Sequence, residues 1–405
     1  MIASKTLIRL GWFALLSVWS FQACGVAEGP ATMAGRLECV GRLQVRLPGD
    51  ADVAALSFER MRRYVKAPGV VSGMTFPGDI SAPRASGFMV SHPLTASQSA
   101  ALLSEAKAQA KDVFLQSARR LREQKVKEAD VVALQPPFDA STMVGWQSGG
   151  DRLLVYRFVG DNLIKWRGGR RNAQSILNAR PRAVFEVPRE TGLCLPYVFM
   201  PDDGKTARAL SMSYRLKDHP DIQVTLTDAS AFDPRDLFAF GAMSEQEVKH
   251  RNKQAEPEAE IAGFWHQALN AARKYESQWK LPSTTRSVTL AGYEGRQSFV
   301  QLTMDDGTRN HGYYAVVRGN PAAADDTPDL RLHVAQDVRL AQGKPPLTKE
   351  QLIEMAQAIA QSVERRPTVG QQSAGTCSGP ACQVSVSRPL GMTWPPTDRQ
   401  AGGEF

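Results

Sequence analysis

The chain has 405 residues, of which 42% are hydrophobic and 22% are charged, a composition typical of globular proteins. At ~150 residues per domain, this length predicts about two domains. The formal net charge of +8 is mild for so long a chain, and it favours a solvated basic face over a nucleic-acid-binding surface.

The N-terminal residues have the pattern of a secretory signal peptide. Lys5 and Arg9 precede an apolar stretch over residues 10–21, and small residues follow as far as Ala27. The stretch is too short for a permanent membrane helix, which needs roughly 20 apolar residues. We therefore expect residues 1–27 to direct export and then to be removed. The mature chain is expected in the periplasm, where a nucleic-acid partner is not expected.

Cys24 leaves two alternatives open for the end of this segment. Bacterial lipoproteins acylate a cysteine that follows a short motif, with leucine three positions earlier and a small residue just before. Ala23 fits that motif, whereas Phe21 and Gln22 fit it poorly. One alternative is a lipid anchor on Cys24 that tethers the protein to a membrane, and the other is ordinary cleavage after Ala27.

Four further cysteines form an even set in a compartment that permits oxidation. They are Cys39, Cys194, Cys377 and Cys382. Their short spacing makes Cys377 with Cys382 the most economical local bridge, which leaves Cys39 with Cys194. Neither pair has the CxxC spacing of a zinc site, so we predict two disulfides and no metal.

The first half of the chain alternates strand and helix signals. Residues 36–47 show the period-two alternation of a half-buried strand. Thr95 and Gln98 form a capping-box pattern for a helix over 96–127. Strands are predicted at 151–160, 183–188, 194–200 and 208–216, and a hairpin turn at 201–204 is predicted to join 194–200 to 208–216. A further strand is predicted at 221–227, with one apolar face and one face that is expected to be wet.

The second half repeats this layout. A helix is predicted to follow residues 254–260 and to end near Trp279, with strands at 287–304, 311–318 and 329–335. A second capping box, Thr348 with Gln351, begins the last helix, whose apolar stripe is Leu352, Ala356, Ile359 and Val363. We expect an α+β fold with two domains, 36–190 and 191–368, each an antiparallel sheet packed with one or more long helices. Residues 369–405 are predicted to be a flexible tail.

A search for reactive groups yields no catalytic residues. The chain has no GxSxG elbow, no HExxH motif and no glycine-rich phosphate loop. Its six histidines are scattered, and His333 is predicted to be solvated on the polar side of a strand. We therefore predict no catalytic, cofactor-binding or metal-binding residues.

The acidic clusters also have ordinary structural explanations. Asp202-Asp203 and Asp305-Asp306 both precede glycine between strands, where aspartate serves turn geometry. The glutamates within residues 256–260 are interpreted as an exposed linker. Phe264 and Trp265 are either a partner-facing pair or, more often for aromatic residues that open a helix, part of the core.

The remaining segments, taken in order, resemble one family. Residues 38–42 (Glu-Cys-Val-Gly-Arg) and the strand to Gly49 are similar to the opening of the immunity proteins cognate to type VI secretion phospholipase effectors, class 4 type. Similar in the same order are residues 192–196, 218–227, 291–295 and 328–334, and the close at Arg365-Arg366-Pro367.

The resemblance implies a periplasmic inhibitor. Members of the family bind a secreted phospholipase effector and keep it from engaging phospholipid, thereby protecting against self and sibling intoxication. The family has no catalytic residues to carry over, so this chain is predicted not to be an enzyme and to need no cofactor. The residues of the effector interface are not defined by the sequence. A periplasmic hydrolase and a lipid- or solute-binding protein are the alternatives.

Overall fold

The computed structural model describes residues 35–66, 73–82, 88–123, 139–140, 143–149, 152–169, 173–205, 207–231, 256–272, 278–280, 285–303, 307–323 and 327–368. Its helices in these ranges are α1 Phe58–Lys66, α2 Ala96–Glu123, α3 Ala173–Leu177, α4 Pro257–Ala272 and α5 Lys349–Ser362. The predicted α+β class is confirmed. The predicted division at residues 190/191 and the role of the tail remain predictions.

The first eleven strands precede the second cysteine segment. They are β1 Arg36–Val40, β2 Leu43–Leu47, β3 Ala51–Val53, β4 Thr75–Phe76, β5 Ile80–Ser81, β6 Met89–Val90, β7 Asp139–Ala140, β8 Met143–Gly149, β9 Arg152–Val159, β10 Asn162–Gly169 and β11 Arg180–Pro181. The later strands are β12 Gly192–Leu195, β13 Val198–Pro201, β14 Ala209–Leu216, β15 Ile222–Ala229, β16 Gln278–Lys280, β17 Arg286–Leu290, β18 Tyr293–Thr303, β19 Arg309–Val317, β20 Asp329–Gln336 and β21 Glu364–Arg365.

An eight-stranded antiparallel sheet forms the largest layer, in the order β16-β18-β19-β20-β15-β14-β3, with β17 also pairing β18. The predicted strand at 221–227 is β15, an interior strand of this sheet. The prediction of a wet face was wrong at Thr225, which is only 8% exposed, whereas Gln223 and Thr227 on the same face are partly exposed. The Thr225 hydroxyl pairs with that of Ser213 across the strands at 2.8 Å, which satisfies the polar group in the interior.

Helix α4 packs on one face of this sheet through Trp265. The Trp265 indole is 3% exposed, and its Nε1 donates to the Ser298 hydroxyl at 2.7 Å, so the core alternative for this residue holds. His333 packs edge-on against Phe264, with ring centroids 4.9 Å apart. The prediction of a solvated His333 was wrong, because α4 covers the sheet face that the strand pattern marks as polar and leaves the ring only partly exposed. This partial burial lowers the pKa of His333 to about 4.

The acidic segment before α4 is also corrected. The helix begins at Pro257, so Glu258 and Glu260 belong to its first turn rather than to a linker. Glu260 pairs with Arg318 at 2.5 Å and thereby ties this end of α4 to the sheet. Trp279 does not end the helix but lies in strand β16.

Helices α1 and α2 pack on a second sheet, of order β6-β10-β9-β8-β7. Helix α2 begins as predicted, because the Thr95 hydroxyl accepts the Gln98 N–H at 3.3 Å and the Gln98 side chain accepts the Thr95 N–H at 2.9 Å. Leu102 and Ala106 face the core of this layer. Helix α5 begins with the same reciprocal arrangement at Thr348 and Gln351, and the predicted stripe of α5 is buried.

Four local strand predictions differ from the structure. Residues 287–304 form a hairpin of β17 and β18 rather than one strand, since the chain turns at Ala291 and Gly292. Residues 36–47 form a hairpin of β1 and β2 rather than one strand, since Gly41 turns the chain at φ +59°. No strand covers 183–188 among the described residues. The turn at 201–204 does not join a hairpin, because β13 pairs β12 and β11, whereas β14 pairs β15 and β3.

Candidate functional site

Residues from both halves of the chain meet in one buried cluster, which we call the cysteine hub. Its members, joined by a disulfide, ion pairs and backbone hydrogen bonds, are Glu38, Cys39, Gly41, Arg42, Arg182, Cys194, Asp202, Arg208, Asp228 and Arg366. The first, second and last segments that resemble the immunity family all contribute to the hub.

The predicted bridge between Cys39 and Cys194 lies at the centre of the hub. The two Cα atoms are 5.8 Å apart, and both side chains are fully buried. Beside the bridge, Gly41 and Cys194 exchange backbone hydrogen bonds at 3.0 and 2.9 Å. Cys377, Cys382 and Cys24 lie outside the described residues, so the second bridge and the lipid anchor remain predictions.

Glu38 and Arg182 form a buried ion pair next to the bridge, with Arg182 Nη1 2.6 Å from Glu38 Oε1. The second carboxylate oxygen accepts the backbone N–H of Phe185 at 2.5 Å, and Arg182 Nη2 donates to the Leu195 carbonyl at 3.0 Å. Such saturation matters, because a buried charge is tolerated only when it is paired and fully hydrogen-bonded.

Asp228 anchors the turn between β1 and β2. One of its carboxylate oxygens accepts the backbone N–H of Arg42 at 2.8 Å, and the other accepts Nε of Arg208 at 2.7 Å. Gly41 is required here, since a Cβ at that position would lie 2.4 Å from Asp228 Oδ2. The glycine of the Glu-Cys-Val-Gly-Arg segment thus permits both the left-handed turn and the close approach of a carboxylate.

Asp202 combines the predicted turn with an unpredicted ion pair. Its Oδ1 accepts the Gly204 N–H at 2.9 Å, and Asp203 Oδ1 accepts the Lys205 N–H at 2.8 Å, which confirms the turn geometry. The other oxygen, Oδ2, accepts Arg42 Nη2 at 2.7 Å in a buried pair. The corresponding pair Asp305-Asp306 lies outside the described residues.

Arg366 connects the end of α5 to the hub. Its Nη1 donates to the carbonyl of Glu190 at 2.8 Å and its Nη2 to that of Gly192 at 2.5 Å, while its backbone N–H donates to the Arg42 carbonyl at 3.0 Å. Burial lowers the pKa of Arg366 to about 10, so the guanidinium is still charged at neutral pH. Arg366 therefore ties the end of α5 to two other chain segments, one through its side chain and one through its backbone.

The hub is a scaffold rather than a reaction centre. The carboxylates of Glu38, Asp202 and Asp228 are fully buried and each is bound to an arginine. The sequence prediction missed Arg182, Arg208 and Asp228, since no local pattern marks a charge whose partner is distant in the chain. Within the described residues, no cluster of histidine, cysteine or acidic side chains is arranged to hold a metal.

A depression between α5 and β17 is open to solvent, and we call it the polar groove. Its volume is about 370 Å³, and it is lined by Ser287, Val288, Thr289, Gln297, Tyr313, Gln357, Ala360 and Gln361. None of these side chains is charged. Among the helices of the described ranges, none has both the length and the apolar character that a membrane-spanning helix requires.

A family model supports the resemblance drawn from the sequence. The model for the C-terminal domain of Tle cognate immunity protein 4 matches residues 186–257, which confirms the resemblance over that segment. The matched segment contains Cys194, Asp202, Arg208 and Asp228 of the hub. No curated protein matches the chain in sequence.

Solved structures of immunity proteins are similar at a lower level. An immunity protein of the type VI secretion system from Pseudomonas aeruginosa, TplEi with a peptide named "L", is 16% identical at a TM-score of 0.43, covering 83% of this chain and 100% of that chain. The apo form of TplEi is 15% identical at a TM-score of 0.41, covering 82% of this chain and 97% of that chain. A chain of a Tle4–Tli4 complex is 16% identical at a TM-score of 0.43, covering 83% of this chain and 99% of that chain.

Proposed function

We propose that the chain is an immunity protein that binds a phospholipase effector of a type VI secretion system and inhibits it by occupancy. The observation that carries the proposal is the match of an immunity-protein family model to residues 186–257. Four hub residues lie within that segment, so the bridge and the buried ion pairs anchor the part of it that the structure describes.

The architecture is consistent with an inhibitor that is rigid before it binds. A surface that is already ordered avoids part of the entropic cost of association, and stable interfaces depend on a few well-held anchors. The hub supplies such order without any solvent-exposed nucleophile among its members. The proposal therefore requires complementarity to a partner and no turnover by this chain.

We further propose that the protein acts in the periplasm. The predicted signal peptide over residues 1–27 directs export, and the Cys39–Cys194 bridge is of a kind that forms and persists in oxidising compartments. A fusion of residues 1–40 to a reporter that is active only after export tests the location. Export of the fusion supports the proposal, and retention of the reporter in the cytoplasm contradicts it.

The inhibition itself is tested by titration. The mature chain is added to the lipase encoded beside its gene, and the release of fatty acid from phospholipid vesicles is measured. Inhibition should rise linearly to completion at one chain per lipase, and an unrelated phospholipase should be unaffected. Undiminished turnover together with the absence of a complex would falsify the proposal.

The alternatives predict different results in the same assay. A periplasmic hydrolase would release product in the absence of the lipase. A lipid- or solute-binding protein would slow every phospholipase by sequestering its substrate, and this inhibition would weaken as more vesicles are added. Stoichiometric inhibition of one lipase, independent of vesicle concentration, is expected of an immunity protein alone.

A further inference from the structure

The polar groove follows the edge of strand β17. Ser287, Val288 and Thr289 are consecutive and all line the groove, although successive side chains of a strand point to opposite faces. A groove that touches three consecutive residues therefore runs along the strand edge. Within the described part of the chain, β17 pairs only with β18. The Ser287 carbonyl accepts from Nε2 of the Gln297 side chain at 2.7 Å, so a further strand along this edge replaces that side-chain contact.

Helix α5 forms the opposite wall with one of its faces. Gln357, Ala360 and Gln361 line the groove, and their i, i+3, i+4 spacing places them on the same side of the helix. The wall is held close to the strand, because the Ala291 N–H just after β17 donates to the Val363 carbonyl just after α5 at 3.0 Å. The groove is thus bounded by an open strand edge and by a helix face that carries two amides.

Tyr313 gives an independent indication of a missing partner. Its side chain is 2% exposed, it lines the groove, and its hydroxyl has no hydrogen-bond partner among the residues that the structure describes. Burial raises the pKa of Tyr313, so the hydroxyl is protonated and can donate. A buried hydroxyl without a partner is costly, and a ligand in the groove that presents an acceptor would remove that cost.

The lining also defines the chemistry of the ligand. Serine, threonine, glutamine and tyrosine side chains supply donors and acceptors, and no lining residue is charged. Arg296 donates to the Ser287 hydroxyl at 3.0 Å, but its charge is already paired with Glu258 at 2.7 Å. A volume of about 370 Å³ lies within the range of binding pockets, roughly 300–1,000 Å³. An extended peptide matches both walls, since its backbone pairs with a strand edge and its uncharged side chains meet the amides of α5.

We infer that the polar groove binds an extended, uncharged segment of the effector, which adds to the sheet as a strand beside β17. This inference rests on the proposed function and specifies where part of the binding occurs. The segment pairs with the outer edge of β17, and a carbonyl or side-chain oxygen of the segment accepts the hydrogen bond of the Tyr313 hydroxyl.

Substitution of the tyrosine separates binding from folding. Tyr313→Phe removes only the hydroxyl, and because that group has no partner in the free chain, the variant should be at least as stable as the wild type in urea. Its affinity for the lipase encoded beside the gene, measured by calorimetry, should fall about five- to tenfold. Equal affinity of Tyr313→Phe and the wild type for the lipase would show that the Tyr313 hydroxyl is not part of the interface.

A blocking substitution tests the groove as a whole. Ser287→Arg places a long cation in the groove at an exposed position, and it should weaken lipase binding at least 100-fold. Ser104→Arg makes the same change at an exposed position of α2 and should leave affinity unchanged. Hydrogen exchange of residues 286–290 should slow in the wild-type complex, because new strand pairing protects those amides.

The outcomes distinguish this inference from the proposed function. If the wild-type chain forms no complex with the lipase, both fail. If the wild-type chain inhibits the lipase, Ser287→Arg binds equally well and the β17 amides gain no protection, only the inference fails. A loss of affinity in Ser287→Arg without protection of β17 also contradicts strand addition, since the groove would then bind the lipase by side chains alone.

Discussion

Removal of the Cys39–Cys194 bridge should strongly destabilise the fold, chiefly through the unfolded chain. The two cysteines are 155 residues apart in sequence, and in the chain-entropy model a loop of that length corresponds to a stabilisation of about 5 kcal/mol. Measured values often fall below the model, so we expect a loss of about 4 kcal/mol. Typical domains have only 5–15 kcal/mol of stability, hence the reduced chain should be marginal.

Urea unfolding with and without reductant measures this loss. The experiment uses the mature chain with Cys377→Ser and Cys382→Ser, so that one bridge alone is reduced and no core side chain changes volume. The midpoint should fall, and the denaturant slope should rise, because an unfolded chain freed of the cross-link exposes more surface. A loss below about 1 kcal/mol with an unchanged slope would refute the argument from loop closure.

Three further predictions concern buried groups. Burial lowers the pKa of His333 from 6.5 to about 4, so in that window the unfolded chain binds a proton that the folded chain does not. Stability that is present above pH 6.5 should therefore decline toward pH 4 by at most ~3 kcal/mol, and urea unfolding of His333→Gln should lack this part of the decline. Arg182→Met leaves the buried Glu38 carboxylate unpaired and should cost about 3–5 kcal/mol in urea, part of which a second change, Glu38→Gln, should restore; an additive double variant would show that the pair is not coupled. Gly312→Ala places a Cβ 2.8 Å from the Trp265 ring and should lower the unfolding free energy by ~1–3 kcal/mol, whereas an unchanged midpoint would show that α4 moves freely.

The helix starts could be predicted because their signals are local. Thr95 with Gln98 and Thr348 with Gln351 each satisfy N–H groups within one turn, so four residues contain the whole interaction. The strands were harder, because a strand is completed by partners elsewhere in the chain. The alternation of β15 is correctly predicted, but at Thr225 its polar face is covered by a hydroxyl pair with the neighbouring strand, which the pattern of a single strand does not reveal.

The hub shows the same limit at longer range. An even cysteine count and spacing predicted the pair Cys39 and Cys194, which needs no knowledge of the fold. No count of residues points to the pair of Glu38 and Arg182, because glutamate and arginine are common on any protein surface. The groove was missed for a related reason: its walls are ordinary residues, and its chemistry arises only when α5 is placed beside the edge of β17.

The hub and the groove are linked through the end of α5. Beyond the helix, β21 pairs with β2, and Arg366 donates to the carbonyls of Glu190 and Gly192. The chain that leaves α5 is therefore fixed to the same hub that the Cys39–Cys194 bridge closes. Because α5 is one wall of the groove, this attachment fixes that wall before the proposed partner binds. Less conformational entropy is then lost on binding, which is the physical connection between a buried scaffold and the tight binding that inhibition by occupancy requires.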